Sequence, residues 1–222
     1  MRALAVGVTV WDIITYCGGT IALWSAAGDE VTIAPLTGTQ TIAAGRAAAS
    51  AAAIVGAELV TRGTGSLEDC RATRDELMDI IREVNPAVLI SSSPSSKSPG
   101  ERAVAALTFN AAYPACVPNY PSPRGLDAVA VRAPILHMDA IALADEEGLT
   151  YVDIESSWQQ KERALEQFAA QDAGLPVEAR QARWRGEVLS RARGVQVQTA
   201  WAEAFGQAHV WGRLTTRRLV PQ

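Results

Sequence analysis

The sequence predicts a doubly wound, Rossmann-like α/β fold: a mainly parallel sheet with a small C-terminal β/α addition. Three observations predict it. Short apolar runs alternate with longer amphipathic stretches, the connections between them are short, and glycine or Asn-Pro stops fall where the helices should end. At 222 residues, the chain suits one domain, with a parallel α/β core over 1–115 and a C-terminal β/α portion over 116–222.

The first apolar run, 3–8, reads as a buried strand and is followed by a helix over 19–27 that Gly28 should end in a left-handed cap. A second strand over 30–35 leads to a helix over 42–55, an almost unbroken alanine run that can pack close to a neighbour, with Gly56 as its stop. Next come a strand over 57–60 and a helix over 70–83. Asn85-Pro86 ends that helix, because proline disfavours the helical region in the residue before it. A strand over 87–91 and a helix over 101–112 complete the core. Beyond the prolines at 114, 118, 121 and 123, strands are expected over 133–138 and 151–154, and helices over 156–171 and 176–191. Right-handed crossovers between such strands give a parallel sheet with both faces covered, and ligands bind outside its carboxyl edge. Here that edge is formed by the loops after Val8, Pro35 and Ser91.

Composition narrows the partners. A net charge of −4 and a pI near 5.3 argue against a nucleic-acid backbone, and the arginines of 180–193 and 213–218, interleaved with apolar residues, read as solvated faces. Cys17, Cys70 and Cys116 are too scattered for a disulfide framework or a metal knuckle, and suit small buried thiols in a reducing compartment. With no signal-like or membrane-length apolar segment, the expected setting is cytoplasmic, without membrane contact.

Several fragments occur in a telling order: Leu4-Ala5-Val6-Gly7-Val8, Cys17-Gly18-Gly19-Thr20, Ile54-Val55-Gly56-Ala57-Glu58, Ser93-Pro94 and Arg102-Ala103-Val104. They continue with Val117-Pro118-Asn119-Tyr120, Tyr151-Val152-Asp153-Ile154, Trp158-x-x-Lys161 with Ala164-Leu165 and Gln171, and Ala202-Glu203-Ala204-Phe205. In this order and spacing the chain resembles, over nearly its whole length, the LmbE/PIG-L family of zinc-dependent N-deacetylases, which includes GlcNAc-phosphatidylinositol de-N-acetylase. The resemblance implies an LmbE-like fold and hydrolysis of an amide. It also implies a zinc ion held by His-Pro-Asp-Asp after the first strand and His-x-Asp-His after the fourth. In these motifs the first His, second Asp and last His hold the metal, the first Asp is general base and the other His stabilises the oxyanion.

On this chain the two motifs become Thr9-Val10-Trp11-Asp12 and Ser98-Pro99-Gly100-Glu101. Asp12 alone is kept. Thr9 and Glu101 replace ligand histidines, Trp11 replaces the base and Ser98 the oxyanion histidine, while Ala44 and Ala47 stand where the family has an Arg-x-x-Glu pair, and Thr64-Gly65 stands in place of its acidic turn. Zinc takes imidazole or thiolate, and His137 and His209 both lie outside the motifs, so no metal and no cofactor are expected.

The remaining pocket candidates are Thr9, Trp11, Asp12, Ser98, Glu101 and His137, and residual catalysis would fall to Asp12, Ser98, Glu101 or His137. Asp12 and Glu101 read either as a facing carboxylate pair, for a hard cation or a raised-pKa acid, or as a loop tether and a first-turn helix charge. Trp11 reads either as a platform for a ligand or as a plug in the hole left by the metal. His137 lines the pocket or is a hydrogen-bonded, half-buried strand residue. Gly18-Gly19 lacks the spacing of a phosphate cradle. The expected function is a non-deacetylating protein of this family that binds a small molecule or a protein partner, in specialised-metabolite biosynthesis. The alternative is metal-free chemistry in the old pocket. A homo-oligomer is expected.

Overall fold

The structure, a computed structural model, describes residues 1–62, 65–138, 149–169 and 175–207. Asp139, Gln171, Thr64, His209 and the arginines of 213–218 lie outside the described residues. In chain order the elements are β1 (Arg2–Gly7), α1 (Val10–Ala26), β2 (Glu30–Pro35), α2 (Ile42–Ile54), β3 (Glu58–Leu59), α3 (Arg71–Val84), β4 (Val88–Ser91) and α4 (Pro99–Ala115). Then follow β5 (Ile135–Met138), β6 (Thr150–Asp153), α5 (Trp158–Glu166), α6 (Val177–Arg180), α7 (Ala182–Val197) and β7 (Ala202–Gln207). The strands form one sheet in the order β3-β2-β1-β4-β5-β7-β6, parallel from β3 to β5 and antiparallel where β7 joins β5 and β6.

This is the doubly wound α/β fold predicted, and the physical reasons are visible in the strands. β1 is apolar on both faces from Ala3 to Val6 because it lies mid-sheet between two helical layers. Ala3, Ala5, Val88, Ile90, Leu136 and Met138 face the layer of α1, α2, α5 and α7, whereas Leu4, Val6, Leu89 and Ile135 face α3 and α4. Gly28 and Gly56 take φ of +85° and +75° just past their helices, and Asn85 is left-handed before Pro86. Cys17 is buried and Cys70 and Cys116 are half-buried, all as free thiols. Among the described residues no helix is long and apolar enough to cross a membrane.

Several expectations need correction. The first helix begins at Val10 rather than near residue 19, because Thr9 is its N-cap: the Thr9 hydroxyl accepts the Asp12 N–H at 3.2 Å. The strand expected over 57–60 keeps two residues, as an edge strand paired only to β2. The helix expected over 176–191 divides at Gln181 into α6 and α7 and runs on to Val197. Ala202–Gln207, which carries no clear strand pattern in sequence, is a strand inserted between β5 and β6.

That inserted strand fixes α1. Glu203, buried on β7, accepts the backbone N–H groups of Gly19 and Thr20 at 2.8 Å each, and the Nζ of Lys161, itself fully buried on α5, donates to it at 2.8 Å. Lys161 also donates to Ser190 Oγ at 2.9 Å, so the pair is satisfied by its surroundings. Gly186 lets α7 approach closely: a Cβ there would lie 2.6 Å from Leu165 Cδ1 and 3.9 Å from Thr15 Cα.

Candidate functional site

The strand order reverses at β1. From β1 the chain winds through β2 to β3 on one side, then α3 carries it across to β4 on the other. The crevice between the carboxyl ends of β1 and β4 is therefore the topological switch point, and the N-termini of α1 and α4 both open onto it. Thr9 caps α1 and Ser98 caps α4, where its hydroxyl accepts the Glu101 N–H at 3.4 Å. These caps place Asp12 and Glu101 in the first turns of their helices, where the macrodipole favours a carboxylate.

A continuous polar chain joins the two carboxylates. Thr9 Oγ1 donates to Asp12 Oδ2 at 2.6 Å, and Asp12 Oδ1 lies 3.9 Å from Arg185 Nη1. Arg185 Nη2 donates to Tyr16 Oη at 2.8 Å, Tyr16 donates to Glu101 Oε1 at 3.2 Å, and Ser96 donates to Glu101 Oε2. Burial pushes the Asp12 carboxyl up to about 6, against the Thr9 hydrogen bond and with help from the Glu101 charge; Arg185 pulls it back down. Tyr16 is raised too, first by burial and then by Glu101, so it stays a neutral donor.

Trp11 makes none of these polar contacts and is packed among apolar groups. It is 7% exposed, sits edge-on to Phe168 with ring centroids 5.8 Å apart, and its six-membered ring lies against Gly38, where a Cβ would be only 3.0 Å away. The indole is thus packed as a buried side chain. His137, half-buried on β5, holds the Ser92 carbonyl with Nδ1 at 3.1 Å. Ala44 and Ala47 are buried on α2 and add no polar group. A cavity of about 470 Å³ lies at the opposite, amino-terminal end of β1 to β3. Its wall includes Arg2, Glu30, Glu58, Arg62 and Glu83, and since Arg62 and Glu83 are ion-paired it offers surface charge rather than a reaction centre.

Two members of the site escape a sequence reading. Tyr16 is one helical turn beyond Asp12, at the i+4 position that shares its face, which is a usable signal. Arg185 falls in the stretch read as solvated. That reading is corrected here: Arg185 turns inward to the site and Arg193 is buried, because both follow the stripe of Ala182, Gly186 and Leu189 by which α7 packs.

Comparison with known proteins gives a one-sided answer. No family model and no curated protein matches the chain. Solved structures do match, over almost the full length. GalB, the 4-carboxy-2-hydroxymuconate hydratase of Pseudomonas putida KT2440, superimposes with a TM-score of 0.79 at 21% identity, covering 98% of this chain and 99% of its own. The chain has the fold of the LmbE/PIG-L family. The conserved protein TT1542 of Thermus thermophilus shares this LmbE-like fold at a TM-score of 0.76 and 21% identity, with 97% of each chain covered. N,N'-diacetylchitobiose deacetylase of Pyrococcus horikoshii does so at 0.74 and 18% identity, covering 93% of this chain and 83% of its own.

The resemblance brings zinc with it, and the residues at the switch point can be tested against that metal. Thr9, Asp12 and Glu101 offer one hydroxyl and two carboxylates, with neither imidazole nor thiolate. Each carboxylate oxygen already faces a protein donor, and one of those donors is a guanidinium. Among the described residues no three His, Cys, Asp or Glu side chains converge. The donor set does not fit zinc.

Proposed function

We propose that this LmbE-like chain does not deacetylate through zinc, and that it binds a small molecule or a partner at the β1–β4 crevice. The observation that carries the reading is Trp11. By the resemblance it stands at the position of the general base, and its indole is packed on Phe168 and Gly38, with no proton acceptor left in its place. Two of the similar structures are named for different reactions, a hydratase and a deacetylase, so the fold leaves the chemistry to the site. The test is elemental analysis after dialysis, with hydrolysis of N-acetylglucosamine-type amides measured with added Zn²⁺, Co²⁺ or Mn²⁺. The expected results are far less than one zinc per chain and background turnover. Stoichiometric zinc, or metal-stimulated turnover abolished by Asp12→Asn, overturns the reading.

A second reading has one observation in its favour. Asp12, held near 6 beside Tyr16 and Glu101, is poised to give or take a proton near neutral pH without a metal. Turnover of any substrate that follows a pH profile with an apparent pKa near 6, and is lost in Asp12→Asn, favours it over pure binding.

A further inference from the structure

We infer that Arg185 is the tethered counter-ion of this site, supplying from α7 the positive charge that a divalent metal would supply between the two motif carboxylates, and so closing the site to metal. The inference rests on the zinc-free reading above and goes beyond it by naming what took the metal's place.

The charge balance requires a cation here. The Asp12 side chain is 13% exposed and Glu101 is 7% exposed, and Glu178 on α6 adds a further negative field at Asp12. Carboxylates so far out of water need an opposite charge close by or an equivalent set of donors. Neighbouring cations are committed elsewhere. Lys161 is bound to Glu203 and Ser190, Arg183 pairs with Glu162 and Glu166, and Arg102 donates to the Ser96 carbonyl at 2.7 Å.

Arg185 alone on α7 is both ion-paired to Asp12 and hydrogen-bonded to Tyr16, and through Tyr16 it reaches Glu101. A guanidinium suits this task. It keeps its charge at any working pH, and its planar fork serves two acceptors at once, which a spherical ion does through coordination. The packing delivers it. Gly186, the next residue, lets the α7 backbone lie against Leu165 and Thr15, and Thr15 is the residue before Tyr16. A metal entering the crevice would have to displace a cation that the fold holds in place, as well as the Thr9, Ser96 and Tyr16 donors.

The experiment compares wild type, Arg185→Gln, Asp12→Asn and the double variant by thermal unfolding in EDTA and in millimolar Mn²⁺ or Zn²⁺, with metal content measured after dialysis. Glutamine removes the charge and, ending two atoms short of Nη2, also the donor to Tyr16, so the comparison with Asp12→Asn is what isolates the charge. Expected is a Tm loss of about 3 °C or more for Arg185→Gln in EDTA, and a Tm gain from Asp12→Asn that is clearly larger in the Arg185→Gln background than in wild type. Metal should raise the Tm of Arg185→Gln, leave wild type unmoved, and lose its effect in the double variant. If Arg185→Gln fails to fold, the double variant must fold; failure of both overturns the inference. It is also overturned if Asp12→Asn gains no more in the Arg185→Gln background than in wild type, or if metal acts equally on wild type and Arg185→Gln. Stoichiometric zinc in wild type defeats the parent reading, whereas a metal-free wild type with an unresponsive Arg185→Gln defeats the counter-ion alone.

Discussion

Replacing Trp11 with alanine asks whether the indole is a plug or a ligand platform. A buried tryptophan removes about 150–250 Å² from water, which at roughly 25 cal/mol per Å² amounts to about 4–6 kcal/mol. That figure is an upper bound, since the unfolded chain already hides part of this surface and alanine retains a methyl group. Trp11 is 7% exposed and also loses its edge-on contact with Phe168, so the middle of the usual range for such truncations, about 3–4 kcal/mol, is expected. For a chain of this size this corresponds to a Tm fall of roughly 6–16 °C. Urea and thermal unfolding followed by circular dichroism supply the measurement, and adding Phe168→Leu to the cycle should show a coupling of about 0.5–1.5 kcal/mol between the rings. A loss below about 1 kcal/mol, the range of surface substitutions, refutes the plug and returns Trp11 to the role of a ligand platform.

Asp12→Asn should alter stability in a pH-dependent way. With its folded pKa raised from 3.8 to about 6, Asp12 is better protonated in the folded state, so stability falls as pH rises from about 4 through 6 and the full cost is present above 6. The variant should therefore gain up to about 3 kcal/mol on wild type at pH 8 and little at pH 4; equal effects at both pH values in denaturant titrations would show that burial does not dominate this carboxyl. Lys161→Met leaves Glu203 charged and buried and should cost about 3–5 kcal/mol, part of it returned by Glu203→Gln in the same chain; a neutral Lys161→Met in urea unfolding would show that the Gly19 and Thr20 amides satisfy Glu203 unaided.

The core is legible because its signals are local. β1 and β2 are apolar on both faces, and the stops at Gly28, Gly56 and Asn85 are each dictated by the residue present. The start of α1 is hidden because Gly18 and Gly19 depress helix propensity in mid-helix, although Thr9-x-x-Asp12 carries the spacing of a capping pair. β7 escapes because Glu203 interrupts its apolar residues, and its partners lie on α1 and α5, far away in sequence. The site divides the same way. Thr9, Asp12, Ser98 and Glu101 are reached through the family motifs they replace, as the resemblance implies, and not through helix boundaries read from the sequence. The choice between plug and platform at Trp11 depends on Phe168, and the inward turn of Arg185 depends on α7 packing at Gly186, neither of which any window of neighbouring residues contains.

The clasp of Glu203 on the amides of Gly19 and Thr20 also sets an order of assembly. The helix that carries Thr9, Trp11, Asp12 and Tyr16 is made before the carboxylate that binds its middle turn, which follows 183 and 184 residues later. Until β7 slots between β5 and β6, those two amides face a layer lacking its acceptor, and Lys161 has no partner charge. Closing so long a loop is slow, and a nascent chain released before residue 203 keeps β1, β2 and β4 but lacks the clasp. The helix under the crevice is thus clasped only once β7 is in place, which ties the geometry of Thr9, Asp12 and Tyr16 to the integrity of a strand remote in sequence.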